Sequence, residues 1–473
     1  MKIKFIFIIL SFVFYTNALV LGQNVIIKGK ATGAEGKTLS IYKLSDPLTN
    51  TQVKIASGLI DSSGNFNFSL KTDITFFAYL KVDFNQAPFY IEAGKIYNLT
   101  IHCVDCEFSD DKMNSYLNPK QLSVFINNSD STELNNAIIR FNDLYDKFVL
   151  KNYESILKYR KKSVLDTFKL EIEKRFYSIN NEYLKNFIKY RFASVEYSVK
   201  LHGRLFIVKN YIFDHDVLYN NTAYFEFFNQ FFDNYVTSSS KYIKKEDLII
   251  SINKEKSFLT LMDSLGKDSV LKNEVIRELV ALKCMGEIYY DEDFNKVFII
   301  LMFKYVAENS KFMQHRLVAE NYIKILTKLT PNTEAPDFLL KDFSGYSYSL
   351  SELHKDKYVY LIFWSTWCVP CIAEMELIEK LKTKYGTKVE FVGISTDKEF
   401  LTYYYFMQKN KMFDFITLHW ANNTELLENY NVKTCPNFIL IDPKGKIVKY
   451  PADSPSKYLD AFLFDLLNEK NKK

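Results

Sequence analysis

Residues 358–385 constrain the fold more than any other part of the chain. Tyr358-Val359-Tyr360-Leu361-Ile362-Phe363-Trp364 is an unbroken apolar run of strand length. Such a strand has no polar face to offer water, so it belongs inside a sheet covered on both sides. Ser365 and Thr366 lead into Trp367-Cys368-Val369-Pro370-Cys371, and a helix-like pattern then continues to Tyr385, with Gly386 placed to stop it. A second strand at 389–394, a helix near 398–409, a hairpin formed by 437–441 and 446–450, and a terminal helix over 456–468 follow. The order β-α-β-α-β-β-α predicts a sheet with helices on its faces.

Two cysteines three positions apart, where a strand gives way to a helix, read as a redox pair. Cys368 falls at the helix N-terminus, where unpaired backbone N–H groups and the positive end of the helix dipole favour an anion. Its thiol is therefore expected to ionise more readily than a free one. Cys371 lies one turn further in, within disulfide reach and more buried. Pro370 suits a first helical turn, where its missing N–H leaves no gap. The bland readings are a structural disulfide or half a zinc site. Zinc needs further ligands, and none stands nearby at metal spacing.

A chain of 473 residues is long enough for about three domains. From Val25 to Cys106 short apolar runs alternate with turn residues, as in Asp61-Ser62-Ser63-Gly64, which predicts a small antiparallel β-sandwich. From Ser109 to Thr330 the period changes to that of helices. Leu134, Ile138, Ile139, Phe141, Leu144 and Phe148 fall roughly on one face, and the many Phe and Tyr read as packing residues. A linker, Thr330-Pro331-Asn332-Thr333-Glu334-Ala335-Pro336, opens the last region. The expected organisation is a multidomain chain: a signal peptide at 1–22, an N-terminal antiparallel β-sandwich at 23–108, a central all-α region at 109–330, and a C-terminal α/β domain at 331–473.

The signal peptide is read from Met1-Lys2-Ile3-Lys4, a basic start, and an apolar run over 5–15 too short to span a bilayer. The mature protein is thus expected to be exported, where disulfides persist. A net charge of +5 spread over the whole chain is not the basic footprint of a nucleic-acid binder.

The last region resembles the thioredoxin fold, and in particular the exported TlpA/ResA-type thiol–disulfide reductases. The resemblance rests on Ala335-Pro336-Asp337-Phe338, on Phe363-Trp364-Ser365-Thr366-Trp367-Cys368-Val369-Pro370-Cys371, on Glu374, and on Thr434-Cys435-Pro436 before the hairpin. It covers about 332–473. The strand-rich front is similar to the β-domain fused to such reductases in Bacteroidetes-type envelopes.

The resemblance implies a cis bond before Pro436 and backbone there that meets substrate, with Trp367 and Cys435 beside it. It also implies that Glu374 is the buried acid that moves protons to and from Cys371. The strand position that carries an Asp in ordinary thioredoxins is Ile362 here, which cannot titrate. No cofactor is implied. The implied partners are envelope protein disulfides and a membrane-bound electron donor, with cytochrome c maturation as one family role. Two departures stand out. Glu376 replaces a common Pro, and Cys435 is either an inert small residue or a third thiol able to pair with Cys368.

Two other functions compete. A peroxiredoxin-like peroxidase expects Pro-x-x-x-Thr/Ser-x-x-Cys, and Ser365 fits, but Leu361 stands where the Pro belongs. A non-enzymatic envelope binding protein would use the thioredoxin-like end only to dock. Of the remaining cysteines, Cys103 and Cys106 read first as a local structural disulfide, and Cys284 as a buried core thiol.

Overall fold

The computed structural model describes residues 22–83, 85–102, 121–127 and 129–469. Residues 1–21 of the expected signal peptide and the pair Cys103 and Cys106 lie outside the described residues. No described helix is long and apolar enough to cross a membrane.

Eight described strands come first: β1 (Gln23–Thr32), β2 (Thr38–Leu44), β3 (Gln52–Leu59), β4 (Asn65–Thr72), β5 (Phe76–Val82), β6 (Asn85–Ile91), β7 (Ile96–His102) and β8 (Ser123–Ile126). They form two sheets, ordered β4-β1-β7-β8 and β3-β2-β5-β6. Alternation builds the core between them. In β5, Phe76, Ala78, Leu80 and Val82 point inward to meet Val25, Ile27, Leu99 and Ile101 of the other sheet. The Asp61 turn is held as its sequence predicts: Asp61 Oδ1 accepts from the N–H groups of Ser63 and Asn65, and Gly64 takes a φ of 82°. The sheets are largely antiparallel, but β1 and β7 run parallel. The sandwich also runs past residue 108, because β8 pairs with β7. At four residues, β8 is too short to show an alternation that sequence reading can find.

Ten described α-helices follow: α1 (Leu134–Tyr153), α2 (Lys162–Phe176), α3 (Glu182–Ser198), α4 (Arg204–Tyr211), α5 (Thr222–Phe231), α6 (Lys245–Ile249), α7 (Phe258–Leu265), α8 (Glu274–Ile288), α9 (Lys296–Asn309) and α10 (Met313–Leu326). Their apolar faces share one core. Leu134, Ile138 and Phe141 are buried in it, whereas Ile139 is 64% exposed and off the face. The aromatic richness is packing: Phe227, Phe228, Phe231, Tyr190 and Tyr224 are all buried, in edge and tilted ring contacts. A polar seam ties helices to sandwich. Asn135 of α1 accepts from Tyr90 N at 2.7 Å and donates to Tyr90 O at 2.9 Å. Asn321 donates to the buried Asp46 at 2.6 Å.

The last region holds β9 (Leu339–Asp342), β10 (Ser347–Ser349), α11 (Leu350–Leu353), β11 (Tyr358–Trp364), α12 (Val369–Tyr385), β12 (Val389–Ser395), α13 (Phe400–Lys409), β13 (Ile416–His419), α14 (Thr424–Asn429), β14 (Asn437–Ile441), β15 (Ile447–Lys449) and α15 (Leu459–Glu469). The strands order as β10-β9-β13-β12-β11-β14-β15. Every residue of β11 is buried. Tyr358, Tyr360, Ile362 and Trp364 face the core shared with α12, and Val359, Leu361 and Phe363 face the other. The linker before this region is zipped onto it: Asn332 N donates to Ile447 O and Ile447 N to Thr333 O, both at 2.8 Å. Gly386 ends α12 with a φ of −59°, so the left-handed stop expected of a glycine there is not used.

Candidate active site

The turn between β11 and α12 delivers Cys368 to the helix N-cap, with extended backbone (φ −84°, ψ 91°). Its Sγ accepts the backbone N–H of Cys371 at 3.3 Å, so an otherwise unpaired helical donor points at sulfur. Cys368 and Cys371 are joined as a disulfide, their Cα atoms 5.2 Å apart. Cys371 is wholly buried among Ile362, Trp364 and Met375, while Cys368 is 5% exposed beside the exposed Trp367 and Val369. The outer sulfur is the one an incoming group meets first.

The Cys435–Pro436 bond is cis. The Tyr450–Pro451 bond is cis too, which nothing in the sequence announced. Cys435 is a free, half-buried cysteine packed against the core that contains Cys368 and Cys371. Burial pushes its thiol up from the ordinary value, against the opposing hydrogen bonds of Thr396 and Ser365. Pro436 is likewise half-buried.

Glu374 departs from expectation. It is half-buried, and its carboxylate accepts from Ser456 N at 2.9 Å and Ser456 Oγ at 2.5 Å. No hydrogen bond or ion pair among the described residues links it to either cysteine. Helix geometry accounts for this: Met375, four residues after Cys371, takes the fully buried position, and Glu374 leans toward the segment that leads into α15. Its charge still reaches Tyr360, whose hydroxyl donates to Asp453 O at 2.7 Å. Burial, with Glu374 and Asp453 adding, raises the Tyr360 phenol well above its ordinary value.

Behind the turn lies a polar cluster that sequence reading missed. Asp397, buried just past β12, accepts from Thr366 N at 3.0 Å, Thr366 Oγ1 at 2.8 Å and Ser395 Oγ at 2.7 Å. Its own carbonyl accepts from His419 Nε2 and Trp420 Nε1, both at 2.7 Å. Thr396 Oγ1 sits 2.6 Å from Ser365 Oγ and 3.5 Å from Cys435 Sγ. The ends of β11, β12 and β13 and the loop of Pro436 are thus knitted together two to three residues before Cys368. The signal was present, as Ser365-Thr366 and Ser395-Thr396-Asp397 each follow an apolar strand run, but only pairing of β11 with β12 brings them face to face.

A family model described as Thioredoxin-like matches residues 356–447. Thiol-disulfide oxidoreductase ResA of Bacillus cereus is 31% identical over 138 residues, covering 29% of this chain and 78% of the relative. ResA of Bacillus subtilis is 31% identical over 122 residues, covering 26% of this chain and 66% of that one. Among solved structures, the thioredoxin domain of a thiol-disulfide oxidoreductase from Bacteroides vulgatus is 26% identical, covering 28% of this chain and 97% of that one, with a TM-score of 0.27. The similarity falls on the region that carries the disulfide, and its C-terminal domain makes this chain a member of the ResA family of thioredoxin-like thiol-disulfide oxidoreductases.

Proposed function

We propose that the protein is an exported reductase of envelope protein disulfides, acting through Cys368 and Cys371. The observation that carries this reading is the Cys371 N–H aimed at Cys368 Sγ on a helix N-terminus, an arrangement that favours the thiolate. In the reduced enzyme, the Cys368 thiolate attacks one sulfur of a substrate disulfide and expels the other as a thiolate, leaving a mixed disulfide. The Cys371 thiolate then attacks Cys368 sulfur, frees the second substrate thiol, and closes the pair. Two electrons pass to substrate, and a membrane-bound donor of two electrons restores the thiols.

Trp367, Cys435 and Pro436 line the approach of the substrate chain. Glu374 takes and returns the Cys371 proton, which requires it to leave Ser456 during the cycle. The chain divides into a signal peptide at 1–22, a sandwich at 23–108 to which β8 adds a strand, a helical domain within 109–330 and the thioredoxin-like domain at 331–473. The peroxidase alternative gains no supporting observation.

A Cys371→Ser variant is expected to accumulate mixed disulfides through Cys368, identifiable by mass spectrometry of trapped conjugates. The added substitution Cys368→Ala removes them. Full disulfide reduction by Cys368→Ala alone sinks the assignment.

A further inference from the structure

The corner between α1 and α2 concentrates both positive charge and exposed apolar side chains. Residues 150–162 carry Lys151, Lys158, Arg160, Lys161 and Lys162 against one acid, Glu154, a net +4 in a chain whose total is +5. All five cations are exposed. The flanking ion pairs, Lys147 with Asp143 and Lys169 with Glu196, do not include them. Among these charges stand four exposed apolar side chains: Leu150, 82% exposed, Tyr153, Leu157 and Tyr159. Lys158 and Lys161 lie 5.5 and 5.8 Å from the Tyr159 ring centre, a cluster with a greasy middle and charged edges.

The corner is held firmly. A single π-helical turn, Glu154–Lys158, joins α1 to the bend. Tyr159 N donates to Glu154 O at 3.0 Å and Lys161 N to Ser155 O at 2.9 Å. Ile156 is buried in the helical core, and Phe148 stacks on Phe168 at 3.9 Å. At the other end of α1, Asn135 is bonded to the sandwich at Tyr90. A helix of 20 residues spans about 30 Å, so the corner projects one helix length from that seam.

We propose that this corner docks the protein on an anionic lipid bilayer. These cations, in no ion pair among the described residues, meet the acidic headgroups, and Leu150, Tyr153, Leu157 and Tyr159 enter the headgroup boundary, where aliphatic and phenolic side chains are both accommodated. A nucleic acid would take the cations but offers nothing to Leu150 and Leu157. Membrane affinity here is independent of the thiol chemistry, so its test reads binding and not reduction.

Full-length wild type and variants with the same N-terminus are sedimented with vesicles of phosphatidylcholine alone or with one quarter phosphatidylglycerol. A basic side chain near such a surface contributes about fivefold to partitioning. Replacing Lys158, Arg160, Lys161 and Lys162 with Gln is therefore expected to weaken binding to the anionic vesicles by roughly several hundredfold. The pair Lys158→Gln and Lys161→Gln, which spares the fold further, is expected to weaken it by about 25-fold. Leu150→Ser with Leu157→Ser weakens it at low and high salt alike. Equal partitioning of wild type and the charge variants, equal binding of wild type to both vesicle types, or charge-dependent binding to duplex DNA without lipid binding overturns the proposal.

Discussion

Asp397→Ala removes the carboxylate that holds the turn before Cys368, and its effect can be worked out bond by bond. Three donors lose their acceptor: Thr366 N, Thr366 Oγ1 and Ser395 Oγ. Removing a charged acceptor costs about 1.5–3 kcal/mol for each buried donor left without a partner. Thr366 is half-buried, so its hydroxyl can turn to water, but its N–H is fixed by the backbone and Ser395 is wholly buried. Two donors therefore carry the loss, which comes to about 3–6 kcal/mol. Asp397→Asn keeps one acceptor oxygen and sheds a buried charge, so a smaller loss of about 1–2 kcal/mol is expected. A multidomain chain does not melt in one step, but all three tryptophans, Trp364, Trp367 and Trp420, lie in the thioredoxin-like region. Urea unfolding followed by tryptophan fluorescence thus reports on that region alone. An Asp397→Ala loss below about 1 kcal/mol, or one no larger than that of Asp397→Asn, refutes this account of the turn.

Cys435→Ala is expected to leave substrate reduction within about twofold, and in the reduced protein Cys435 is expected to be alkylated more slowly than Cys368, because burial suppresses its thiolate. His419 gives a pH dependence. It is buried with Nε2 donating to Asp397 O and Nδ1 accepting from Ala421 N at 3.1 Å, and burial lowers its pKa. The unfolded imidazole, near about 6.5, protonates first, so the stability due to His419 is complete above that pH and is lost as pH falls toward the folded pKa. Urea midpoints should decline on that acid limb, and an undiminished decline in His419→Gln would falsify the assignment. Ile362→Ala, in the core beside Cys371, is expected to lower stability by about 2–5 kcal/mol by the same fluorescence assay, and a loss under about 1 kcal/mol contradicts its burial there.

The strand–turn–helix that carries the cysteine pair was legible because its signals are local. A fully apolar strand, two thiols a helical turn apart and a proline in the first turn all lie within residues 358–371, and the helix bounds of 369–385 followed from periodicity. What escaped depends on contacts between distant segments. Asp397 is one polar residue after a strand until β12 lies beside β11 and turns it toward Thr366. Glu374 sits at the expected helical position, but Met375 competes for the same buried side, and sequence spacing alone does not say which of two adjacent residues wins. In the front region β8 was too short to read, and the parallel β1–β7 pairing joins segments about 70 residues apart that no local pattern connects. Helical periodicity placed Ile139 on a face it just misses, since a single position shifts the side chain by about 100° around the axis.

The spacing of the cysteines itself bears on whether their bond serves stability or chemistry. Cross-links stabilise chiefly by restricting the unfolded chain, and the effect grows with the loop closed: about 4.7 kcal/mol for 100 residues but only about 2 kcal/mol for a loop of four. Cys368 and Cys371 close the shortest kind, within a turn that Asp397 and the helix already define. The scaffold around the two sulfurs therefore stands largely without their bond. Opening it is expected to leave Cys368 at the same helix end, facing the Cys371 N–H, and the proposed redox cycle needs a site that keeps its shape in both states.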